Sequence, residues 1–393
     1  MGGYSQSVSQ PSIPPFFVFL FAVLVLSVAA GLYAYVGWGL GIGHERDAWV
    51  YWGLGLQFAS LPWVFVLSRY GRRNRWVVGL YWCAYLGLGL VWLLSLGFLV
   101  RDALVWILAE SGGSFYWVTG VGAGQSTLLV AVTVVLLGMR GVYNVSHTPK
   151  VRRTSIECLA LAPGLEGFRV VQITDLHVGQ TLGAEWLKGV VASVNAQDPD
   201  IVVITGDLVE GVVGEIGGLV SGLADLHARH GVFFVTGNHE YYYGAAAWMA
   251  EVERLGIEVL LNTHTVIERG NARLLVAGVA DWDAARFSPE QASDPVGALQ
   301  GAPAVDFKLL LAHQPRTAPV ASKAGYDLQI SGHTHGGQIF PFHLLVPMQQ
   351  PFRQGLHRVG GMQIYVSRGT GYWGPPIRLG APAEISVLEL TRV

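Results

Sequence analysis

Hydrophobic positions change character along this chain. Residues 13–43, "IPPFFVFLFAVLVLSVAAGLYAYVGWGLGIG", contain no Asp, Glu, Lys or Arg, and a helix needs about 20 apolar residues to cross a bilayer. Further uncharged runs follow, so the pattern predicts about four spans, at 13–36, 48–67, 76–100 and 120–140. Gln57 and Ser60 make the second the weakest, Arg75 and Arg101 bound the third, and Arg140 closes the fourth. A buried core helix is the bland alternative for any one run, but it fits four such runs poorly. A cleaved signal peptide would need a basic start and a shorter apolar region of about 7–15 residues, and no Lys or Arg precedes the first run.

From Phe168 the pattern becomes short apolar runs alternating with helical spacing. "FRVVQIT", "DIVVIT", "GVFFVT", "FKLLLA" and "YDLQIS" read as buried strands. "GAEWLKGVVASVNAQ" and "GAAAWMAEVERLG" between them read as helices. Strand and helix in alternation predict right-handed crossovers and a mainly parallel core. "RLLVAGVAD", "MQIYVSRG" and "AEISVLELTRV" read as consecutive later strands in a second, partly antiparallel sheet. The expected organisation is a helical membrane region over 1–150 and an α/β domain over 151–393.

Composition sharpens that division. The 393 residues are 51% hydrophobic and 13% charged, with mean hydropathy +0.41, where a soluble chain carries roughly 25% charged residues. The deficit is local: residues 1–150 hold 8 Lys/Arg and 4 Asp/Glu, the remainder 17 and 23. "SRYGRRNR" and the stretch holding Arg140, Lys150, Arg152 and Arg153 are basic, whereas the other two loops carry only Arg46 and Arg101. Lys/Arg-rich short loops stay cytoplasmic, so both ends of a four-span bundle, and the second domain, are expected inside. An integral, multi-pass protein of the bacterial inner (cytoplasmic) membrane is the expectation. Apart from Arg140 at the end of the fourth, no Asp, Glu, Lys, Arg or His falls inside the proposed spans, which argues against a transporter. The net charge of -2 points to no nucleic-acid partner, and no obligate protein partner is inferred. The only two cysteines, Cys83 and Cys158, fall one in each part and argue against a disulfide or a zinc knot.

Chemistry gathers at strand ends. Each cluster alone has an ordinary explanation: Asp175 and His177 in "TDLH" or Asp207 in "TGDLVE" as turn residues, His313 in "LAHQP" as a core histidine. Asn238 and His239 in "TGNHE", and His333 and His335 in "SGHTHGG", are harder to read that way. Five successive strand ends offer a carboxylate, carboxamide or imidazole, and a parallel sheet gathers such ends. Asp175, His177, Asp207, Asn238, His313, His333 and His335 exceed one tetrahedral site and suit two metals sharing a carboxylate.

In order, "DLH", "GD", "GNHE", an isolated "H" and "GHTH" resemble the calcineurin-like metallophosphoesterases, and "GHTHGGQ" with a hydrophobic N-terminus resembles the family's membrane-associated branch. The resemblance covers Phe168 to about Gly337, and not residues 1–150. It implies a four-layer α/β/β/α sandwich and two metal ions, manganese, iron or zinc. One would be held by Asp175, His177, Asp207 and His335, the other by Asp207, Asn238, His313 and His333, with Asp207 bridging and catalytic. His239 is similar to the family's catalytic acid at the leaving oxygen. Arg378 and Arg368 are candidates for binding phosphoryl oxygens. The Asp-Arg-Gly of protein phosphatases is missing from "GDLVEGVVG", which disfavours protein substrates. The expected activity is a membrane-anchored phosphodiesterase or pyrophosphatase acting on a phosphate ester, a lipid-linked one such as UDP-diacylglucosamine being attractive. The alternatives are a non-catalytic membrane receptor or scaffold, or an outward-facing enzyme of wall polymers. "IFPFHLLVPM" (residues 339–348) reads equally as an acyl site, a bilayer contact or a buried loop.

Overall fold

The computed structural model describes residues 15–40, 52–60, 75–110 and 122–393. Three long helices, α1 (Pro15–Gly39), α2 (Arg75–Glu110) and α3 (Ala123–Ser146), occupy the first part. Among the described residues, two helices are long and apolar enough to cross a membrane, Trp76–Glu110 and Gly124–Ser146, where the sequence pattern predicts about four spans. Of the span expected at 48–67, only residues 52–60 are described, and they are helical. The rest of that span and most of the arginine-rich loop lie outside the described residues, as do residues 13 and 14 of the first span and 120 and 121 of the fourth.

The helix expected to stop at residue 100 continues to Glu110, so Arg101 and Asp102 lie within it. The pair neutralises itself at 2.7 Å. Arg101 also donates to the carbonyl of Gly39 at the end of α1, and Tyr35 Oη donates to Asp102 Oδ2 at 2.6 Å. A charged pair whose donors are used this way does not break a helix.

Twelve strands follow in two six-stranded mixed sheets. In the first, β1 (Lys150–Cys158), β12 (Glu384–Arg392), β2 (Arg169–Ile173), β3 (Ile201–Thr205), β4 (Val232–Val235) and β5 (Glu258–Val259) lie side by side. All neighbours run parallel except β12 with β2. The second has the order β10 (Gly355–Val359), β11 (Met362–Val366), β9 (Leu328–Ser331), β8 (Phe307–Leu311), β7 (Ala272–Gly278), β6 (Thr263–Arg269). Its outer pairs are antiparallel and its inner ones parallel. "AEISVLELTRV" therefore leaves the sheet of its neighbours and returns to the first one. The basic linker after residue 149 becomes the edge strand β1, whose charged residues suit an edge.

Period-two alternation divides each inner strand between two cores. Val171, Ile173, Val202 and Ile204 face α4 (Ala184–Asn195), α5 (Val213–Val220) and, after the short α6 (Asn238–Tyr243), α7 (Ala245–Arg254), while Val170 and Val203 face the other sheet. Leu309 and Leu311 of β8 join that inter-sheet core, and Leu310 packs outward against α8 (Ala318–Ala324). The result is helix, sheet, sheet, helix.

The helical region docks directly onto this sandwich. Ile377, fully buried, wedges between α2 and α3: a Cβ built at Gly89 would stand 2.7 Å from its Cδ1, and Gly141 approaches it as closely. Asn144 donates to the Arg378 carbonyl at 2.9 Å, and Trp92 stacks on Phe342 at 4.4 Å.

Candidate metal centre

Parallel strands β2, β3, β4, β8 and β9 end toward one site, and the segments leaving them carry the candidate metal ligands and His239. The loops after β2 and β3 run together: His177 N donates to Asp207 O at 3.1 Å and Val178 N to Leu208 O at 2.9 Å. Five of the candidates adopt positive φ, Asp175 (52°), His177 (46°), Asp207 (51°), His333 (70°) and His335 (50°). Such backbone costs about 1–3 kcal/mol per residue and persists where surrounding structure imposes it. At Gly206 (φ 86°) a Cβ would stand 2.5 Å from the amide nitrogen of Gly237 and 2.8 Å from His313 Nδ1, so only glycine lets these two loops close on the site.

Six of the seven expected ligands fall into two groups. Asp175, His177 and His335 form one; Asp207, His313 and His333 form the other. His177 Nε2 and His335 Nε2 are 3.1 Å apart, as are His313 Nε2 and His333 Nδ1. Asp207 Oδ2 stands between the groups, 3.2 Å from His313 Nε2 and 3.9 Å from His177 Nε2. Asn238, the seventh, is buried, and its Oδ1 accepts no hydrogen bond. Buried polar atoms are normally satisfied, so a carboxamide oxygen left open beside carboxylates and converging imidazoles fits a cation site. The N/O donor set suits a first-row divalent metal.

Several residues the sequence reading passed over hold this cluster. Glu210 Oε1 lies 2.6 Å from His177 Nδ1 and 2.6 Å from His239 Nδ1, the latter as an ion pair without hydrogen-bond alignment. Burial opposes its charge, yet His239 and His177 draw its carboxyl down to about 2. Glu240 is fully buried and accepts from the amides of Asp207, Leu208 and Gly237, fixing the turns on either side. Asp281 accepts from Gln314 Nε2 beside His313. The signal for Glu210 was its place three residues after Asp207, although a glutamate there also reads as a solvated turn residue.

The imidazoles divide electrostatically. Burial alone would lower His313, but Asp207 at 3.2 Å raises it well above the usual range. Burial, reinforced by His313, pushes His333 down to about 3, and burial with His177 and Arg378 holds His335 well below the usual range. For His239, burial is outweighed by Glu210 and Asp207, which bring it up to about 9.

The two arginines do not stand where the sequence reading put them. Arg378 is fully buried, donating to the carbonyls of Gly371, His335 and Ala381 and approaching His335 Nδ1 at 3.0 Å. Its guanidinium clamps the "GHTH" turn from behind, which leaves no donor face for a phosphoryl group. Arg368 is bound to Glu384 at 2.7 and 2.5 Å. An open cleft with about 400 Å³ of empty space adjoins the cluster, and its wall includes Tyr81 and Tyr85 of α2 with His177, Glu210, Tyr372 and Trp373.

Comparison with known proteins agrees with this geometry. Residues 168–337 match the family model described as calcineurin-like phosphoesterase. A Danio rerio protein named transmembrane protein with metallophosphoesterase domain is 35% identical over 277 residues, 68% of this chain and 63% of that protein, so the match spans less than two thirds of that relative. Uncharacterised metallophosphoesterases of Campylobacter jejuni and Helicobacter pylori are 36% and 38% identical, over 67% and 68% of this chain and 69% and 71% of their own lengths. With its strand-end motifs gathered into one buried cluster, the chain belongs to the calcineurin-like metallophosphoesterases.

Proposed function

We propose that this protein is a dinuclear-metal phosphoric ester hydrolase, a phosphodiesterase or pyrophosphatase, held at the cytoplasmic face of a membrane. The observation that carries the reading is the place of Asp207 Oδ2 between the His177 and His313 groups. One ion would be held by Asp175, His177, Asp207 and His335, the other by Asp207, Asn238, His313 and His333. When bound, such a pair supplies hydroxide near neutral pH and neutralises charge on the phosphoryl oxygens. Manganese, iron and zinc all suit these donors.

The chain's own groups account for the rest. The His239 ring, kept protonated by Glu210 and Asp207, holds a proton beside the cluster for the leaving oxygen. His239 N donates to Asp207 Oδ1 at 2.9 Å, leaving Oδ2 for the shared position. Glu210 orients His177 through Nδ1, and partners of this kind sharpen ligand geometry.

Membrane topology supports the cytoplasmic placement. Residues 35–39 of α1 meet Arg101 and Asp102, so α1 and α2 leave the same side and cross in the same direction. A chain making two such crossings must return between them, and residues 52–60 pack on α2 through Gln57 Nε2 to Ala84 O at 2.6 Å. Counting that return gives four spans, with residues 1–150 as the membrane unit and 151–393 as the hydrolase. The start of α2 lies on the side where α3 delivers the chain to β1; the sequence leading into it is rich in arginine, and basic loops mark the cytoplasm. With α2 walling the cleft, the favoured substrate is a lipid-linked phosphodiester or pyrophosphate, UDP-diacylglucosamine among those to try.

Full-length protein purified in detergent is expected to hydrolyse bis(p-nitrophenyl) phosphate with added manganese and to bind two ions per chain. Asp207→Asn should lose both properties. Metal-loaded, folded wild type that cleaves neither this ester nor a lipid pyrophosphate would sink the reading.

A further inference from the structure

We propose that the segment from Phe340 to Met348 is embedded in the lipid leaflet facing the catalytic domain, at the boundary between headgroups and acyl chains. The proposal rests on the membrane reading above and adds a contact which that reading does not require. The segment contains no Asp, Glu, Lys or Arg. Phe340, Phe342, Leu344, Leu345 and Met348 are exposed by 51%, 40%, 64%, 49% and 84%, which excludes the buried-loop explanation. A contiguous apolar patch rimmed by polar residues marks an interaction surface.

Its backbone is suited to low dielectric. The segment is wound into two short 3₁₀ turns, Phe342–Leu344 and Val346–Met348. The amides of Phe342, Leu344, Leu345 and Met348 donate within the segment or to Ile339, at 2.8–3.0 Å. Pro341 and Pro347 have no amide hydrogen. With Phe340 N donating to Leu379 O at 3.0 Å, five of the segment's seven amides are satisfied, which lowers the cost of meeting a bilayer interface.

Its depth follows from α2. That helix has 36 residues, about 54 Å at 1.5 Å per residue, against a hydrocarbon core of about 30 Å. Tyr81 and Tyr85 line the cleft and Gly89 packs on Ile377, so the sandwich occupies α2 up to that point, and lipid begins only beyond it, near Trp92. Trp92 is the residue that holds the segment, stacked on Phe342 at 4.4 Å and donating from Nε1 to the Phe340 carbonyl at 3.3 Å. Helix α3 gives the same level. A Cβ at Gly138 would meet Leu90 at 2.8 Å and one at Gly97 would meet Val130 at 2.7 Å, so Trp92 lies level with Val135 to Leu137. Those three are 54%, 57% and 42% exposed. The segment thus continues an apolar belt that begins on the membrane helices, which makes lipid its occupant rather than a second protein. Only Gln338 and Ile339 separate it from the "GHTHGG" turn that carries His335, so the leaflet surface would lie beside the metal cluster.

The test uses full-length protein in phospholipid nanodiscs, with Cys83→Ala and Cys158→Ala removing native thiols. A spin label is placed at Met348→Cys, with Leu129→Cys on α3 as the lipid reference and Glu185→Cys as the aqueous one. At 348 the ratio of oxygen to nickel-chelate collision rates is expected to match that at 129 and to exceed that at 185 severalfold. A label at 348 that reads like 185, or is shielded from both reagents as in a protein interface, overturns the proposal while the membrane reading stands. An aqueous reading at 129 overturns both. Unmodified protein provides a second measurement: a phosphatidylcholine carrying a diazirine near its headgroup should form adducts on residues 339–353. Adducts confined to the helices would overturn the proposal.

Discussion

At the scale of single residues, the site is an arrangement of groups that could not stay together without neighbours to balance them. Asp175, Asp207 and Glu240 are buried within one cluster, and converging imidazoles and backbone amides offset their charge. Glu210 contributes through two histidines at once, so Glu210→Gln is expected to weaken metal retention by about 10–100-fold. Chelator competition on the purified protein would measure this, and unchanged retention would remove Glu210 from its orienting role. Arg378→Met removes a buried guanidinium and strands the carbonyls of Gly371, His335 and Ala381. It should lower stability by about 3 kcal/mol, read as a fall in Tm. The ligand residues were legible in sequence because each directly follows an apolar strand run. The roles of Glu210, Glu240 and Arg378 were not, since nothing local separates a buried clamp from a solvated charge.

At the scale of elements, α2 does more than offer a length and composition that could cross a membrane. Its first half lies against the sandwich and lends Tyr81 and Tyr85 to the cleft, while its second half extends past the end that Arg101 suggested. An apolar run reveals that a helix can enter lipid, but not that one face of it packs on a protein domain. Gly141→Leu would force a side chain into Ile377. Overpacking of this kind costs about 1–3 kcal/mol and should expose the junction near residue 147 to protease at lower temperature than in the wild type. Tyr85→Ala is expected to raise KM for a lipid-linked substrate by about tenfold, an aromatic contact being worth about 0.5–1.5 kcal/mol. Hydrolysis of bis(p-nitrophenyl) phosphate should change less, and equal loss on both substrates would count against a wall contributed by α2. Among strands, β1 and β12 were the elements misplaced: an edge strand rich in arginine reads as a linker, and no local pattern tells the last strand which sheet to join.

At the scale of the whole molecule, buried acids tie stability to pH. Burial raises Asp281 from 3.8 to about 6. The folded protein then keeps a proton that the unfolded chain has already released between those values, so this group makes stability fall as pH rises through about 4 to 6 and flat above it. Asp281→Asn should remove that slope, measured as Tm against pH, and an unaltered slope would assign it to another group. The same global packing sets the sheets face to face so that strand ends from both reach one cluster, and it seats the helical region beside that cluster.

The amino-acid sequence by itself determined the alternation of strands and helices, the apolar character of the first part, and the order of Asp, His and Asn at the strand ends. These are local properties, because period, chain length and side-chain type are read within a few residues. Only the tertiary structure decided which carboxylate stands between the imidazole groups, that Glu210 holds two histidines, that Arg378 is sealed behind His335, and that the apolar side chains from Phe340 to Met348 are largely exposed beside α2 while Ile339 is buried. Each of these depends on contacts between residues distant in the chain, whose free energy comes from packing and charge balance that no single segment contains.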